Sequence, residues 1–183
     1  GNTMSWDIRT QDLLVEVWRK LATHFRGTPM IYAYDPLNEP HDEDYVYNVD
    51  GGVEWQKLIE RVIAAIREID ADTPILVEAT AWSTPSGFET LKPINGEKLI
   101  YSPHFYAPHS YTHQGIFKGM PTGIVYPGEI GGVLWDRQQI LKTLQPVIDF
   151  QKKYNVPIYI GEFSVARWAP GGDQWLDDLI SIF

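Results

Sequence analysis

Amphipathic helical patterns alternate with short apolar runs along the chain, and this alternation constrains the fold more than any other sequence feature. Apolar side chains recur at helical spacing in four segments, 11–26, 54–69, 136–148 and 175–180. Between and beside them lie short runs rich in β-branched and aromatic residues, at 30–34, 74–79, 99–102 and 157–161. Strands separated by helices pair in parallel, so the pattern predicts an α/β fold with strands buried on both faces.

Four strand–helix units are half of an eightfold barrel, which typically needs about 250 residues, whereas this chain has 183. Half a barrel leaves two sheet edges unpaired. We therefore expect residues 1–183 to be the central fragment of a single catalytic (β/α)8 TIM-barrel domain, cut at both ends. A small open, doubly wound sheet is the alternative that four strands also allow.

Charge and composition narrow the classes of partner. The chain carries 15 basic and 24 acidic residues, a net charge of −9, and its longest basic run is Lys152-Lys153. Nucleic acids and anionic membranes are bound by clustered Lys and Arg, and no apolar run approaches the roughly 20 residues of a membrane span. The absence of cysteine rules out disulfides, thiolate metal sites and a cysteine nucleophile. An open α/β domain that binds phosphate would need a Gly-rich strand-to-helix loop, which the sequence lacks.

The aromatic content points towards carbohydrate. Seven Trp and ten Tyr exceed what a core of this size needs, and sugar-binding sites use such rings as stacking platforms. Trp82, Trp135 and Trp168 follow strand ends or lie in loops, where each is either a platform or a packing residue. The three tryptophans on helical stripes are predicted to be core residues: Trp18, Trp55 and Trp175.

Two glutamates follow apolar runs at places where a charge is unexpected. Glu39 comes shortly after the run 31–34, and Glu162 directly continues the run 158–161. In a parallel barrel the carboxyl ends of all strands surround one mouth, so these two carboxylates would converge. If their environments push their pKa values apart, one gives a proton and the other attacks carbon. That is the chemistry of glycoside hydrolysis, and a separation of about 5–5.5 Å would mark the retaining variant.

Other interpretations exist for these glutamates and for the remaining acidic and histidine residues. Glu39 is also interpretable as an ordinary loop acid near Asp42-Glu43-Asp44, a run that is predicted to be a solvated loop. The run lacks the ligand spacing of an EF-hand calcium site. Glu162 is harder to dismiss, since an unpaired charge at the end of an apolar strand is costly. Glu78 lies near the end of another predicted strand but is not flanked by Asn and Pro or by Gly and Phe, as the other two glutamates are. We interpret it as a residue that supports the site. The spacing of His104, His109 and His113 is unlike that of a zinc site, so no metal is expected.

Three motifs together resemble a known family. Asn38-Glu39-Pro40, His104-Phe105-Tyr106 and Gly161-Glu162-Phe163 each stand at the end of an apolar run. In this order they resemble the ends of the fourth, sixth and seventh barrel strands of glycoside hydrolase family 5, the cellulase-type family of clan A. The resemblance covers nearly all of the chain.

The resemblance implies a role for each matching position. Glu39 would be the acid/base and Glu162 the nucleophile, while Asn38 would bind the sugar 2-hydroxyl. Tyr106 would donate a hydrogen bond to Glu162, and His104 would lie beside the glutamates and the sugar. Trp82 and Trp168 are added as substrate-binding candidates. The family's arginine near strand two, histidine near strand three and tryptophan on strand eight belong to strands that this chain lacks, so the chain alone is expected to be inactive or nearly so.

The predicted function is retaining hydrolysis of β-glycosidic bonds in a poly- or oligosaccharide, without a cofactor. A β-1,4-glucan is the family-level substrate; mannan, β-1,3-glucan, a glycolipid and an oligosaccharide stay open. The alternatives are a catalytically silent carbohydrate-binding barrel and an inactive fragment of a glycosidase. Since a polymer does not enter the cell, we expect an extracellular or periplasmic location.

Overall fold

The computed structural model describes residues 8–41 and 49–183, and the acidic run 42–44 lies outside them. The helices are α1 Ile8–Phe25, α2 Val49–Arg67, α3 His109–Thr112, α4 Arg137–Tyr154 and α5 Gly172–Ile180, with a 3₁₀ helix at Pro85–Glu89. The strands are β1 Ile75–Val77, β2 Leu99–Tyr101, β3 His104–Phe105, β4 Gly128–Ile130, β5 Val133–Trp135 and β6 Glu162–Phe163. In the part of the chain that the structure describes, no helix has the length and apolarity to cross a membrane.

Four parallel segments lie side by side in chain order. Tyr34 forms a parallel bridge with Ile75 at the start of β1, and β1 pairs in parallel with β2. The segment at Ile158 bridges β2 through Tyr101. Further along, β3 pairs in parallel with β6 in a register that places His104 opposite Glu162. Neighbouring segments that are all parallel and joined by helices are the arrangement expected for adjacent strands of a βα barrel.

The strands bury one side more completely than the other. In β1 and β2 the first and last residues are buried, whereas the middle residues Leu76 and Ile100 are half-buried. The buried side packs against α2, whose Leu58, Ile59 and Val62 are fully enclosed. On the other side Tyr159 is 49% exposed. The prediction of strands buried on both faces therefore holds only in part, because Leu76 and Ile100 on the second side of β1 and β2 are half-buried.

The first predicted strand is reduced to a single paired residue. Within 30–34 only Tyr34 pairs with a neighbour, while Met30 and Tyr32 are largely exposed. This segment lies at the outer edge of the four, so one of its sides has no partner among the described residues. An apolar and aromatic run indicates β-propensity, but a strand also needs a partner on which to form its hydrogen bonds.

The predicted loop between Tyr106 and α4 contains regular structure. Besides α3 it holds an antiparallel hairpin of β4 and β5, joined by Gly131 and Gly132. Both glycines have positive φ, +60° and +78°, as a tight two-residue hairpin turn requires. Trp135 of this hairpin is buried in the second core cluster. Its interpretation as a packing residue is confirmed, and that as a sugar platform is wrong.

Helix α4 begins and ends as its sequence indicates, with one difference. The Asp136 carboxylate accepts a hydrogen bond from the Gln139 backbone N–H at 2.9 Å, which caps the helix. The Gln139 side chain does not reach back to Asp136 but lies 3.4 Å from the Thr143 hydroxyl. Pro146 lies inside the helix and has no N–H to donate to the Lys142 carbonyl.

The three tryptophans on helical stripes are buried, as predicted, and each also holds a loop. The indole N–H of Trp18 donates to the Pro36 carbonyl at 2.8 Å. Likewise Trp55 donates to the Glu78 carbonyl at 2.8 Å, and Trp175 to that of Ala107 at 3.2 Å. A buried indole stabilises best when its N–H finds an acceptor. In this protein the acceptors lie just beyond the strand ends, so the helices hold those segments in place.

Candidate active site

The ends of the parallel segments bring Glu39, His104 and Glu162 together. His104 Nδ1 lies 3.0 Å from Glu39 Oε1 and 3.7 Å from Glu162 Oε2. One ligand atom from each of these three residues lies within 4.8 Å of the other two, so the glutamate carboxylates face each other. The side chains of Glu39 and Glu162 are 29% and 39% exposed, whereas that of His104 is buried. The predicted convergence of the two glutamates is present in the structure.

Tyr106 makes the hydrogen bond that the resemblance implies. Its hydroxyl donates to Glu162 Oε2 at 2.9 Å. Burial and the hydrogen bond to this carboxylate raise the pKa of Tyr106 to about 12. The phenol is therefore protonated over the whole physiological range and is available as a hydrogen-bond donor to the Glu162 side chain.

Glu78 lies directly behind Glu39 and is buried, with a side chain 1% exposed. Its Oε2 accepts a hydrogen bond from the backbone N–H of Glu39 at 2.7 Å. Its other oxygen lies 3.5 Å from His104 Nε2. Burial and the neighbouring Asp35 carboxylate raise the pKa of Glu78 to about 8.

A cavity of about 890 Å³ opens over these residues. It runs from the two glutamates between the 3₁₀ helix and α4. The side chains that line this cavity at its far end are mostly polar: Thr84, Ser86, Glu89, Gln139, Lys142 and Thr143. Its volume lies within the range of about 300–1,000 Å³ that is typical of small-molecule sites.

Trp82 lines the same cavity in an unusual backbone conformation. Ala81, Trp82 and Ser83 all have positive φ, between 53° and 56°, which non-glycine residues rarely adopt and which clusters at functional sites. The imidazole of His41 stacks on the Trp82 indole with ring centroids 3.5 Å apart. The Ser83 hydroxyl anchors the turn by donating to the Ser102 carbonyl at 2.5 Å.

Two of the predicted substrate-binding residues lie outside the lining of the cavity. Asn38 is exposed and adjoins Glu39 only in sequence. Trp168 is exposed, and its indole N–H donates to the Gln114 carbonyl at 2.9 Å. Glu39, Glu162, His104, Tyr106 and Trp82 thus share one cavity, and the roles of Asn38 and Trp168 stay predictions.

A histidine pair lines the cavity without having been predicted there. The rings of His109 and His113 stack with centroids 3.9 Å apart and an interplanar angle of 11°. Burial and the neighbouring His109 lower the pKa of His113. The sequence signal for this pair is the spacing of four residues between the two histidines, shortly after Tyr106.

Glu39, His104 and Glu162 are also the described residues whose ligand atoms are close enough to hold a metal ion. The short contact between Glu39 and His104 is equally a hydrogen bond between a carboxylate and an imidazole. The expectation that no metal takes part stays a prediction.

A family model for cellulases, glycosyl hydrolase family 5, matches residues 1–178. The chain belongs to this family. The predicted resemblance is thereby confirmed. Endoglucanase C of Acetivibrio thermocellus is 26% identical over 99% of this chain, and the match spans 58% of that relative. Cellodextrinase A of Ruminococcus flavefaciens is 22% identical over 94% of the chain and 50% of its own length.

Solved structures of family 5 members agree with the predicted fold. An endoglucanase superposes with a TM-score of 0.81 at 28% identity, over 95% of this chain and 55% of its own. A hyperthermophilic endo-β-1,4-glucanase in complex with substrate gives a TM-score of 0.82 at 27% identity, with the same coverage. The structural neighbours are (β/α)8 barrels, so this family 5 chain is a partial barrel, as predicted. Nearly the whole chain is matched by these relatives, but the match covers only about half of each relative's own length.

Proposed function

We propose that this chain carries the catalytic pair of a glycoside hydrolase that cleaves β-glycosidic bonds with retention of configuration. The observation that carries the proposal is the approach of Glu39 and Glu162, whose nearest carboxylate oxygens lie within 4.8 Å at the mouth of the cavity. Retaining enzymes hold their two carboxyl groups about 5–5.5 Å apart, and inverting enzymes about 6.5–9.5 Å. The short approach favours retention because it leaves little room for a water molecule between the carboxylates and the sugar.

In the first step Glu162 attacks the anomeric carbon while Glu39 protonates the glycosidic oxygen. The bond between that carbon and the leaving oxygen breaks, and an ester joins the sugar to Glu162. The Tyr106 hydroxyl supports this step, because its hydrogen bond at 2.9 Å holds the Glu162 carboxylate in place before attack. The contact between His104 and Glu39 at 3.0 Å orients the acid.

In the second step Glu39 acts as a base. It takes a proton from water, the resulting hydroxide attacks the anomeric carbon, and Glu162 leaves as a carboxylate. Two inversions give net retention, and the enzyme returns to its starting protonation state. Every bond that forms or breaks uses side chains of this chain, the sugar and water, so no cofactor is required.

We propose a β-1,4-linked glucan or its oligosaccharides as substrate, because the relatives with the most extensive matches are named endoglucanases. Trp82 offers an apolar ring face at the cavity wall for stacking on a sugar. Asn38 would bind the sugar 2-hydroxyl, and Trp168 would contact parts of the polymer that lie outside the cavity. A polymeric substrate implies secretion or export to the periplasm, and finding the activity only in the cytosol would contradict that location.

The test uses this chain and a barrel fusion, in which the chain is joined to the endoglucanase C segments that lie outside its match. Both are incubated with a 2-deoxy-2-fluoro aryl cellobioside, which traps the ester intermediate, and are then analysed by mass spectrometry. We expect the label on Glu162 in the fusion. Glu162→Gln should not be labelled. Glu39→Gln should lose about 10²–10⁴-fold in turnover of cellooligosaccharides and regain turnover of activated aryl glycosides when azide is added.

Glu129→Gln is the matched control, since Glu129 is exposed on β4, away from the cavity. A fusion that binds cellooligosaccharides but neither turns them over nor takes up the label would favour the silent carbohydrate-binding barrel. A label on a carboxylate other than Glu162 would overturn the assignment of the nucleophile.

A further inference from the structure

Glu78 is a buried carboxyl group that the double-displacement mechanism does not use. We propose that it is a positioning residue, which holds the backbone of Glu39 and the imidazole of His104 so that the Glu39 carboxyl stays aligned as acid and base. This inference rests on the proposed function and adds a residue to it.

The first observation is the contact with the Glu39 backbone. Glu78 Oε2 accepts the Glu39 N–H at 2.7 Å, and Glu39 has a φ of +49°. A non-glycine residue at positive φ is disfavoured, and the residue before a proline, here Pro40, is restricted further. A conformation of this kind persists where surrounding contacts impose it. The hydrogen bond that the Glu39 N–H donates to the buried Glu78 side chain is such a contact.

The second observation is the contact with His104. Glu78 Oε1 lies 3.5 Å from His104 Nε2 and has no hydrogen-bond partner of its own. On the other edge of the imidazole, Nδ1 lies 3.0 Å from Glu39 Oε1. Glu78 therefore touches the backbone of Glu39 directly and its carboxylate through one buried ring. A shift of Glu78 would therefore displace both the backbone and the carboxylate of Glu39.

The third observation is that the Glu78 backbone is itself held. Its carbonyl accepts the indole N–H of the buried Trp55 on α2. The side chain thus projects from a fixed point towards Glu39, with only its dihedral angles free to vary. Residues that preorganise a site are effective when rigid elements hold them in this way.

The charge state of Glu78 fits a positioning role. The ionisable groups that face it are Asp35, Glu39 and His104. With a pKa of about 8, Glu78 is mostly protonated at neutral pH. A neutral Glu78 adds no further negative charge beside the two glutamates, and its Oε2 still accepts the Glu39 N–H.

The first experiment uses the 183-residue chain and needs no turnover. Amide hydrogen exchange at Glu39 is measured by NMR in wild type, Glu78→Gln, Glu78→Ala and the control Glu129→Ala. We expect Glu78→Ala to accelerate exchange at the Glu39 amide at least about tenfold, because the acceptor is gone. Glu78→Gln keeps an acceptor and should stay within about threefold of wild type. Unchanged exchange at Glu39 in Glu78→Ala would overturn the proposal.

The second experiment uses the barrel fusion and separates positioning from folding. Poor leaving groups need the acid, and good ones do not. Glu78→Ala should therefore lower kcat/KM about 10- to 100-fold on cellotetraose and less than about threefold on dinitrophenyl cellobioside. Glu78→Gln should keep most of the activity on both substrates. Equal losses on both substrates in Glu78→Ala would mean a purely structural role.

The two proposals fail separately. If Glu39→Gln itself shows no dependence on the leaving group, the proposed function is wrong, whatever Glu78 does. If Glu39→Gln behaves as an acid/base variant and Glu78→Ala leaves both the exchange and the leaving-group dependence unchanged, only the Glu78 inference is wrong.

Discussion

His104 faces three carboxyl groups with two ring nitrogens. Nδ1 is directed towards Glu39 and Glu162, and Nε2 towards Glu78, at distances of 3.0, 3.7 and 3.5 Å. Because the ring is buried and planar, it keeps the three carboxyl groups at defined mutual positions. At the residue scale the site is therefore one connected network, and each substitution in it should have an effect that depends on its neighbours.

Removing the Tyr106 hydroxyl tests the part of this network that supports the nucleophile. Tyr106→Phe keeps the ring and loses the 2.9 Å hydrogen bond to Glu162. A hydrogen bond to a charged group contributes about 1.5–3 kcal/mol, so kcat/KM of the barrel fusion should fall about 10- to 100-fold. Tyr32→Phe, at a largely exposed tyrosine, is the control and should leave the kinetics unchanged. A Tyr106→Phe variant with wild-type kcat/KM would contradict the role given to this hydroxyl.

Glu78 should make stability depend on pH. Its pKa rises from 4.5 to about 8 on folding, so above pH 4.5 the unfolded chain loses this proton while the folded chain keeps it. The free energy of unfolding should therefore fall as the pH rises from about 5 to about 8, by an amount on the order of a few kcal/mol. Urea unfolding of Glu78→Gln should lack this decrease, and Glu129→Gln should follow wild type. Parallel curves for Glu78→Gln and wild type would show that the Glu78 proton is not linked to folding.

At the scale of elements, the start of α5 depends on a close backbone approach. Gly171 precedes α5 with a φ of +78°, and a Cβ atom there would lie 1.8 Å from the Tyr126 carbonyl oxygen. Gly131, in the turn of the hairpin, also has positive φ but has open space around it. Substituting Ala at Gly131 therefore measures the cost of the backbone conformation alone, whereas Ala at Gly171 adds the cost of a steric clash.

We expect Gly171→Ala to lower the free energy of unfolding by more than about 3 kcal/mol, since strain and overpacking add. Gly131→Ala should cost about 1–2 kcal/mol from conformation alone. Urea unfolding of both variants measures the difference. Similar losses would mean that the segment at Tyr126 moves aside at little cost.

At the scale of the whole molecule, the two glutamates lie at a partly exposed end of the parallel segments. Tyr159 next to the β6 segment is 49% exposed, and the side chain of Glu162 is 39% exposed. Water at the site screens the interactions that would stabilise a transition state. The relatives match this chain over little more than half of their own length.

We therefore predict that the 183-residue chain alone turns over cellooligosaccharides at least about 10³-fold more slowly than the barrel fusion. The comparison uses equal molar concentrations, with the Glu162→Gln fusion as the control for contaminating activity. Turnover by the chain alone at the rate of the fusion would mean that four strands suffice for catalysis.

Local patterns predicted the helices and the positions of the motifs well, and long-range packing less well. The helical stripe of α2 and the cap at Asp136 depend on neighbours a few residues away, so they are legible in the sequence. The run at 30–34 has strand propensity but lies at an edge, where only Tyr34 pairs. The hairpin of β4 and β5 carries one turn signal, Gly131-Gly132, between the apolar residues Ile130 and Val133. Trp135 is buried only through the packing of this hairpin, which local periodicity does not predict.

The sequence by itself determined the alternation of strands and helices, the three motifs at strand ends and the family to which they belong. These features are local, because periodicity and turn chemistry act over a few residues. Only the tertiary structure decided the distances that matter for chemistry, since Glu39, Glu78, His104 and Glu162 come from four separate segments. Their contacts depend on the register between His104 and Glu162 and on helices that hold the strand ends. The same packing put Trp82 in the cavity wall and left Asn38 and Trp168 outside it.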